Sequence, residues 1–74
     1  MLGNVIRKAR MAAGITQEEL AFRAGISRNY VSLLELDQKS PTIDVLFRIA
    51  KGLGTKASAL IAEVEAQALA LRRR

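Results

Sequence analysis

The sequence contains neither cysteine nor histidine, no tryptophan, and only one tyrosine, two phenylalanines and one proline. Without cysteine, the chain can form no disulfide and no thiolate metal site. Without histidine, it lacks the commonest general base and the commonest metal ligand. The carboxylates fall mostly at predicted helix caps and solvent faces, with no clustering suggestive of catalysis. We therefore expect no enzymatic activity, no cofactor and no metal.

Long apolar runs and a signal peptide are also missing. The apolar runs are far too short to span a bilayer, and residues 1–4 lack the basic and apolar regions of a signal peptide. We therefore expect a cytoplasmic protein with no membrane partner. The 74 residues are enough for one domain with a small core, covering residues 1–74.

Positive charge is in excess. Lysine and arginine number 12 against 7 acidic residues, which gives a net charge of +5 and a pI near 10.5. A small basic domain suits a polyanionic partner such as nucleic acid. Charge alone decides little, since a merely soluble basic protein has the same composition.

A helix, a tight turn and a second helix are predicted between residues 16 and 36. Thr16 is a favourable N-cap, and Glu19, three residues later, can complete a capping box. Gly25 can end the first helix because glycine enters the left-handed conformation at little cost. Ser27 can then cap the second helix. Two helices joined by a short turn that contains glycine are typical of a helix-turn-helix.

The second helix of this motif has two different faces. Winding it at about 100° per residue places Tyr30, Val31 and Leu34 on one arc, which we expect to face the core. Arginine can bind O6 and N7 of guanine, and asparagine can bind N6 and N7 of adenine. We therefore expect the opposite arc to contact DNA bases, the alternative being a solvated polar face. The predicted base contacts are Arg28, Asn29, Ser32 and Leu33.

An ordered set of residues extends from this motif toward the C-terminus. The set consists of Thr16-Gln17-Glu18-Glu19-Leu20-Ala21, Gly25-Ile26-Ser27-Arg28, Ser32, Leu34-Glu35, Pro41 and the run from Leu46 to Gly54. It resembles the phage-repressor-like helix-turn-helix family, also called the XRE or Cro/C1 type, and the likeness covers residues 2 to about 61. The resemblance implies an all-α, lambda-repressor-like bundle of five helices whose third helix enters the major groove. Stand-alone members of this size include controller proteins of restriction–modification systems and antitoxins, and the sequence does not choose between them.

Two positions depart from the family pattern. Members commonly carry a polar residue where Leu33 stands, and this leucine could instead pack on a thymine methyl group. They also carry Arg-Gly or Asn-Gly where Leu36-Asp37 stand. The loss of that glycine removes the usual basis for a tight exit from the third helix.

The resemblance also implies roles for residues outside the third helix. Arg10 and Glu35 are expected to form a largely buried ion pair that fixes the first helix against the third. The alternative is that Arg10 is a surface residue with a snorkelling side chain. Unpaired N–H groups at a helix start bind phosphate, so the starts of the second and fourth helices are expected to contact the DNA backbone. The alternative is a plain N-terminal glutamine at the second helix and an ordinary loop before the fourth. The predicted phosphate contacts are Gln17, Ser27, Lys39, Ser40 and Thr42.

Apolar periodicity predicts the first and fourth helices. The first is expected over about residues 2–13, and the fourth over about residues 43–53. Ile43 and Phe47 belong to the wide apolar arc that we expect the fourth helix to turn toward the core. Gly52 within this helix is expected to allow a close contact with another helix.

The fifth helix, from about residue 57, carries an apolar stripe that continues beyond the core it must cover. Leaving this stripe in water would expose apolar surface on a very small protein, so we expect two chains to pair along it. The alternative is a helix that frays after about Ala62. The tail Arg72-Arg73-Arg74 is expected to be a frayed, solubilising end rather than a contact to DNA or membrane. The predicted dimer interface consists of Leu60, Ile61, Val64, Ala68 and Leu71.

These patterns together predict a sequence-specific transcriptional regulator that binds double-stranded DNA as a homodimer. Two-fold symmetry would place two third helices in successive major grooves about 34 Å apart, so we expect an inverted-repeat operator. No effector domain is expected, and no small-molecule effector is evident. The second hypothesis is a protein-interaction module or antitoxin that uses the same bundle to hold a partner protein. Exposed Leu33 and Leu36 would be its evidence.

Overall fold

Caps and apolar periodicity divide the chain into five α-helices in the computed structural model, which describes residues 1–72. The predicted all-α five-helix fold is confirmed. Within the described range, no helix is both long and apolar enough to cross a membrane. Arg73 and Arg74, to which part of the tail prediction applied, lie outside the described residues. The helices are α1 (Leu2–Ala12), α2 (Gln17–Ala24), α3 (Arg28–Glu35), α4 (Ile43–Leu53) and α5 (Ala57–Arg72).

Hydroxyl side chains start α2, α3 and α4. In each case the side-chain oxygen accepts a hydrogen bond from the backbone N–H three residues later, and the pairs are Thr16–Glu19, Ser27–Tyr30 and Thr42–Val45. Each such cap stabilises its helix by about 1 kcal/mol. The capping box at α2 is only half formed, because the Glu19 carboxylate accepts a hydrogen bond from Arg23 Nε at 3.1 Å.

The first four helices end in the same way, with a residue of positive φ just after the helix. Three of these residues are glycines, and the fourth is Asp37, with φ of 57°. After α3, Asp37 N donates to Leu34 O at 3.1 Å and Gln38 N donates to Leu33 O at 2.9 Å. This hydrogen-bond pair is the Schellman motif. The exit from α3 is therefore tight even without glycine, because aspartate tolerates the left-handed region better than most residues.

The core lies among all five helices. Helix α2 packs against α3 and α4, while α5 packs against α1 and α4. A Cβ atom at Gly52 of α4 would lie 3.1 Å from Cβ of Arg23 and 3.2 Å from Cδ1 of Leu20. This close approach of α4 to α2 confirms the predicted role of Gly52. The largest fully buried side chains are Ile6, Leu20, Leu34, Ile49 and Val31.

Three predictions about apolar side chains are wrong. Ile43 and Phe47, which were expected to face the core, are 66% and 61% exposed. Leu60, which was expected in a dimer interface, is only 3% exposed and belongs to the chain's own core. It is buried because the first turn of α5 closes the bundle, and a buried side chain cannot contact a second chain. Val64, one turn later, is half-buried and also packs against the core.

Candidate nucleic-acid interface

The outer face of α3 is the centre of the candidate interface. Arg28 and Asn29 are both exposed on the first turn of α3, while Ser32 and Leu33 on the second turn are half-buried. The opposite side of α3 is buried in the core, which holds the helix in one orientation. The structure therefore leaves a guanidinium and an amide free to donate at one end of a rigid helix. Leu33 is less exposed than the protein-interaction hypothesis requires.

The predicted phosphate contacts lie at the starts of α2, α3 and α4 and in the loop after α3. Lys39 and Ser40 are exposed in the loop between α3 and α4. Ser27 and Thr42 are exposed N-caps whose oxygens accept backbone N–H groups. Because a hydroxyl carries one proton besides its lone pairs, each of these caps can still donate to a phosphate oxygen.

A hydrogen-bonded network joins α1, α2 and α3 beside this face. Arg10 Nε donates to Glu35 Oε2 at 2.7 Å, and Arg10 Nη2 donates to Glu35 Oε1 at 3.1 Å. Arg10 Nη1 also donates to the Ile15 carbonyl at 3.0 Å. Hydrogen bonding to Glu35 raises the pKa of the Arg10 guanidinium, against the opposing effect of burial. The network is architectural, because it fixes α1 against the end of α3.

Gln17 takes part in the same network. Its Nε2 donates to Glu35 Oε1 at 3.1 Å, and its side chain is half-buried. One amide hydrogen is thus used inside the protein, and the second remains for a ligand. The sequence did not suggest this contact, because Gln17 and Glu35 lie 18 residues apart and meet only through helix packing.

The start of α1 is tied to the exit of α3 through Asp37. The Met1 ammonium donates to Asp37 Oδ2 at 2.9 Å, and Gly3 N donates to Oδ1 at 2.8 Å. These two hydrogen bonds lower the pKa of the Asp37 carboxyl, and the bond from the Met1 ammonium has the larger effect. A Cβ atom at Gly3 would lie 2.5 Å from the Glu35 carbonyl oxygen, so only glycine permits this approach. Sequence reasoning missed this junction.

A depression of about 280 Å³ opens between α1, the start of α2 and α3. It brings together part of the predicted reading face, the ion pair and Gln17. It also contains Arg7, for which the sequence analysis predicts no role. No local signal marks Arg7, because its neighbours in this depression come from two other helices. The depression is lined by Arg7, Arg10, Gln17, Ser32, Glu35 and Leu36.

Comparisons with known proteins agree with this geometry. A family model described as helix-turn-helix matches residues 6–60. An uncharacterized HTH-type transcriptional regulator of Methanothermobacter thermautotrophicus is 44% identical over 50 residues, which cover 68% of this chain and 72% of that protein. The immunity repressor protein of Bacillus phage phi105 is 34% identical over 62 residues, covering 84% of this chain and 43% of the repressor.

Solved structures show the same likeness. The wild-type restriction–modification controller protein C.Esp1396I superposes with a TM-score of 0.82 and 32% identity. The alignment covers 92% of this chain and 90% of the controller protein. Since the helix-turn-helix model spans most of the chain and the relatives are repressors and regulators, this chain belongs to the XRE-type helix-turn-helix family of DNA-binding transcriptional regulators.

Proposed function

We propose that this chain reads a specific, inverted-repeat operator in double-stranded DNA as a homodimer, with α3 in the major groove. The observation that carries the proposal is the exposure of Arg28 and Asn29 on the first turn of α3, whose other side is locked in the core. Both side chains are suited to the edges of purine bases. Ser32 and Leu33 extend the contact along the same helix.

Contacts to the DNA backbone would set the register of α3 without reading sequence. Such contacts come from segments that flank the reading helix. The candidates are Gln17, Ser27, Lys39, Ser40 and Thr42, which offer donors at the starts of three helices and in the loop after α3. In this proposal the protein acts in the cytoplasm, has no enzymatic activity and needs no small-molecule effector.

The dimer interface of this proposal lies on the seam between α4 and α5. On α4, Gly52 faces α2, and Phe47 lies about 140° around the helix from it, on the side of α5. On α5, Ala59 and Gln67 line a groove toward α1, and Ile61 lies at least about 120° away from both, on the side of α4. From these angles we infer that Phe47 and Ile61 border the same seam.

Exposure supports this revised interface. Ile43, Phe47 and Ile61 are 66%, 61% and 45% exposed, so the seam presents apolar surface to water. Aromatic and aliphatic side chains form the buried centre of most stable interfaces. Leu71, at 53% exposure, and half-buried Ala68 extend the seam along α5. Leu60 is omitted because it lies in the core, and Val64 is omitted because it is half-buried against the core.

A second candidate function is a protein-interaction module or antitoxin. Phe22 is 83% exposed and Leu36 is 62% exposed, and a partner protein could cover either side chain. Such a module would use the bundle to hold a protein rather than to read bases. Binding to duplex DNA separates the two functions.

The test is duplex binding across a range of salt concentrations, after selection of bound sites from a random duplex pool. Each phosphate neutralised on B-DNA contributes about 0.9 to the slope of log K against log salt. We expect a slope of several units and selected sites that form an inverted repeat. Affinity that does not change between low and physiological salt, or selected sites without symmetry, would contradict the proposal.

A further inference from the structure

Arg7 is an exposed arginine whose surroundings differ from those of the other basic residues of α1. It lines the depression between α1, α2 and α3 together with Ser32, on the outer face of α3, and exposed Leu36, which directly follows this helix. Gln17, a candidate backbone contact, lines the same depression. A duplex laid against the outer face of α3 must therefore pass close to Arg7.

Arg7 also carries the uncompensated charge of this depression. The other guanidinium there belongs to Arg10, which is paired with Glu35, the only carboxylate in the lining. In residues 1–72, Arg7 forms no salt bridge with any acidic side chain. The pair of Arg10 and Glu35 is neutral overall, so the depression as a whole has a charge of +1.

We infer that Arg7 binds a phosphate of the DNA backbone at the edge of the depression, beside the reading face of α3. This inference rests on the proposed function and adds a positioning contact from α1, an element outside the helix-turn-helix. Arginine suits the role because its planar fork binds two phosphate oxygens at once. The Arg10–Glu35 pair keeps α1 in place, so Arg7 is presented at a constant distance from α3.

The neighbouring Lys8 provides a matched control. It is also exposed, but it lines the groove between α1 and α5, about 100° around the helix from Arg7. Arg7→Ala and Lys8→Ala each remove one positive charge from the same helix. Both substitutions keep a strong helix former, so neither should disturb folding. A difference in DNA affinity between the two variants therefore depends on where the removed charge lies on α1 and not on the net charge.

The experiment measures affinity for the selected operator and for a random duplex between 50 and 200 mM salt. We expect Arg7→Ala to weaken both complexes and to reduce the salt slope by about 1.8 for a dimer, two contacts at about 0.9 each. The ratio of the intact protein's binding constant to that of Arg7→Ala should therefore fall about twelvefold as salt rises over this fourfold range. Lys8→Ala should keep the full slope, and Arg7→Lys should restore most of it.

Equal slopes for Arg7→Ala and Lys8→Ala would overturn the inference, since only general charge would then be involved. A loss confined to the operator would also overturn it, because a phosphate contact does not read sequence. Failure of the proposed function has a different signature. In that case the intact protein would itself show no salt-dependent binding to duplex DNA.

Discussion

Glu35 is the buried charged residue of the described chain, with 8% of its surface exposed. It accepts two hydrogen bonds from Arg10 and one from Gln17, so three protein donors take the place of water around its carboxylate. No buried polar side-chain atom within residues 1–72 lacks a hydrogen-bond partner. Removing a partner from such a group costs more than removing the whole group, because a charge is then left buried.

We expect Arg10→Met to lower the free energy of unfolding by roughly 3 to 5 kcal/mol, because Glu35 would stay buried without its cation. The double replacement Arg10→Met with Glu35→Leu should cost much less, since no charge remains inside. Urea denaturation of the two single variants and the double variant measures this coupling. A double variant as unstable as the sum of the singles would show that the two side chains act independently.

A second prediction at the residue scale concerns base reading by Arg28. We expect Arg28→Ala to weaken operator binding by roughly 1 to 3 kcal/mol and to relax preference at one base pair. Lys39→Ala should instead weaken all sequences about equally. Lys39 is a cleaner comparison than Gln17, whose amide also holds Glu35. Competition with single-base variants of the operator measures both effects, and uniform weakening by Arg28→Ala would make Arg28 a phosphate contact.

At the scale of elements, the exit of α3 and the start of α1 form one unit through Asp37. The backbone of Asp37 turns the chain in the left-handed region, while its carboxylate accepts from Met1 and Gly3. A glycine would suit the turn equally well but would lose both side-chain contacts. The residue that departs from the family pattern therefore adds a link between two helices.

We expect the Asp37 carboxylate to make stability depend on pH. Its pKa is lower in the folded state, so its contribution is present above the ordinary aspartate pKa of about 3.9 and is lost as pH falls through the folded value. Asp37→Asn keeps a residue that tolerates positive φ and removes only the charge. Melting temperatures from neutral to acid pH should show the intact protein more stable at neutral pH and the difference vanishing in acid. A difference that is constant with pH would show that the carboxylate does not contribute through its charge.

At the scale of the whole molecule, apolar surface concentrates in more than one place. Ile43, Phe47 and Ile61 are exposed and form the interface proposed for the seam between α4 and α5, whereas Phe22 lines a separate groove between the C-terminal parts of α2 and α4. Only the seam continues along α5, where the sequence shows an extended apolar stripe. The two phenylalanines, both mostly exposed, thus belong to different apolar patches.

We expect Phe47→Glu to dissociate the proposed dimer, because a charge would replace an aromatic side chain at the interface. An interface residue of this kind contributes about 2 kcal/mol or more, equivalent to an increase of roughly thirtyfold in the dimer Kd. Phe22→Glu is the control and should leave the dimer intact. Sedimentation of both variants and the intact chain measures the mass. A monomeric intact chain at tens of micromolar, or equal effects of the two variants, would contradict the assignment.

Local chemistry is the part of this protein that the sequence determined by itself. Thr16, Ser27 and Thr42 cap their helices, and the residue after each of the first four helices sets its exit, so the boundaries were predictable to within one residue. These interactions join residues three to five positions apart. They form whenever the helix forms and do not depend on how the helices pack.

Only the tertiary structure decided which apolar residues are buried and which polar residues meet. Helical periodicity shows that Phe47 and Leu60 lie on apolar arcs, but it does not show how much of each arc a neighbouring helix covers. Packing buries Leu60, exposes Phe47 and places Arg7 beside α3. The contact of Gln17 with Glu35 likewise spans 18 residues and depends on the angle between α2 and α3. Such outcomes require the relative positions of whole helices, which no periodicity within a single helix contains.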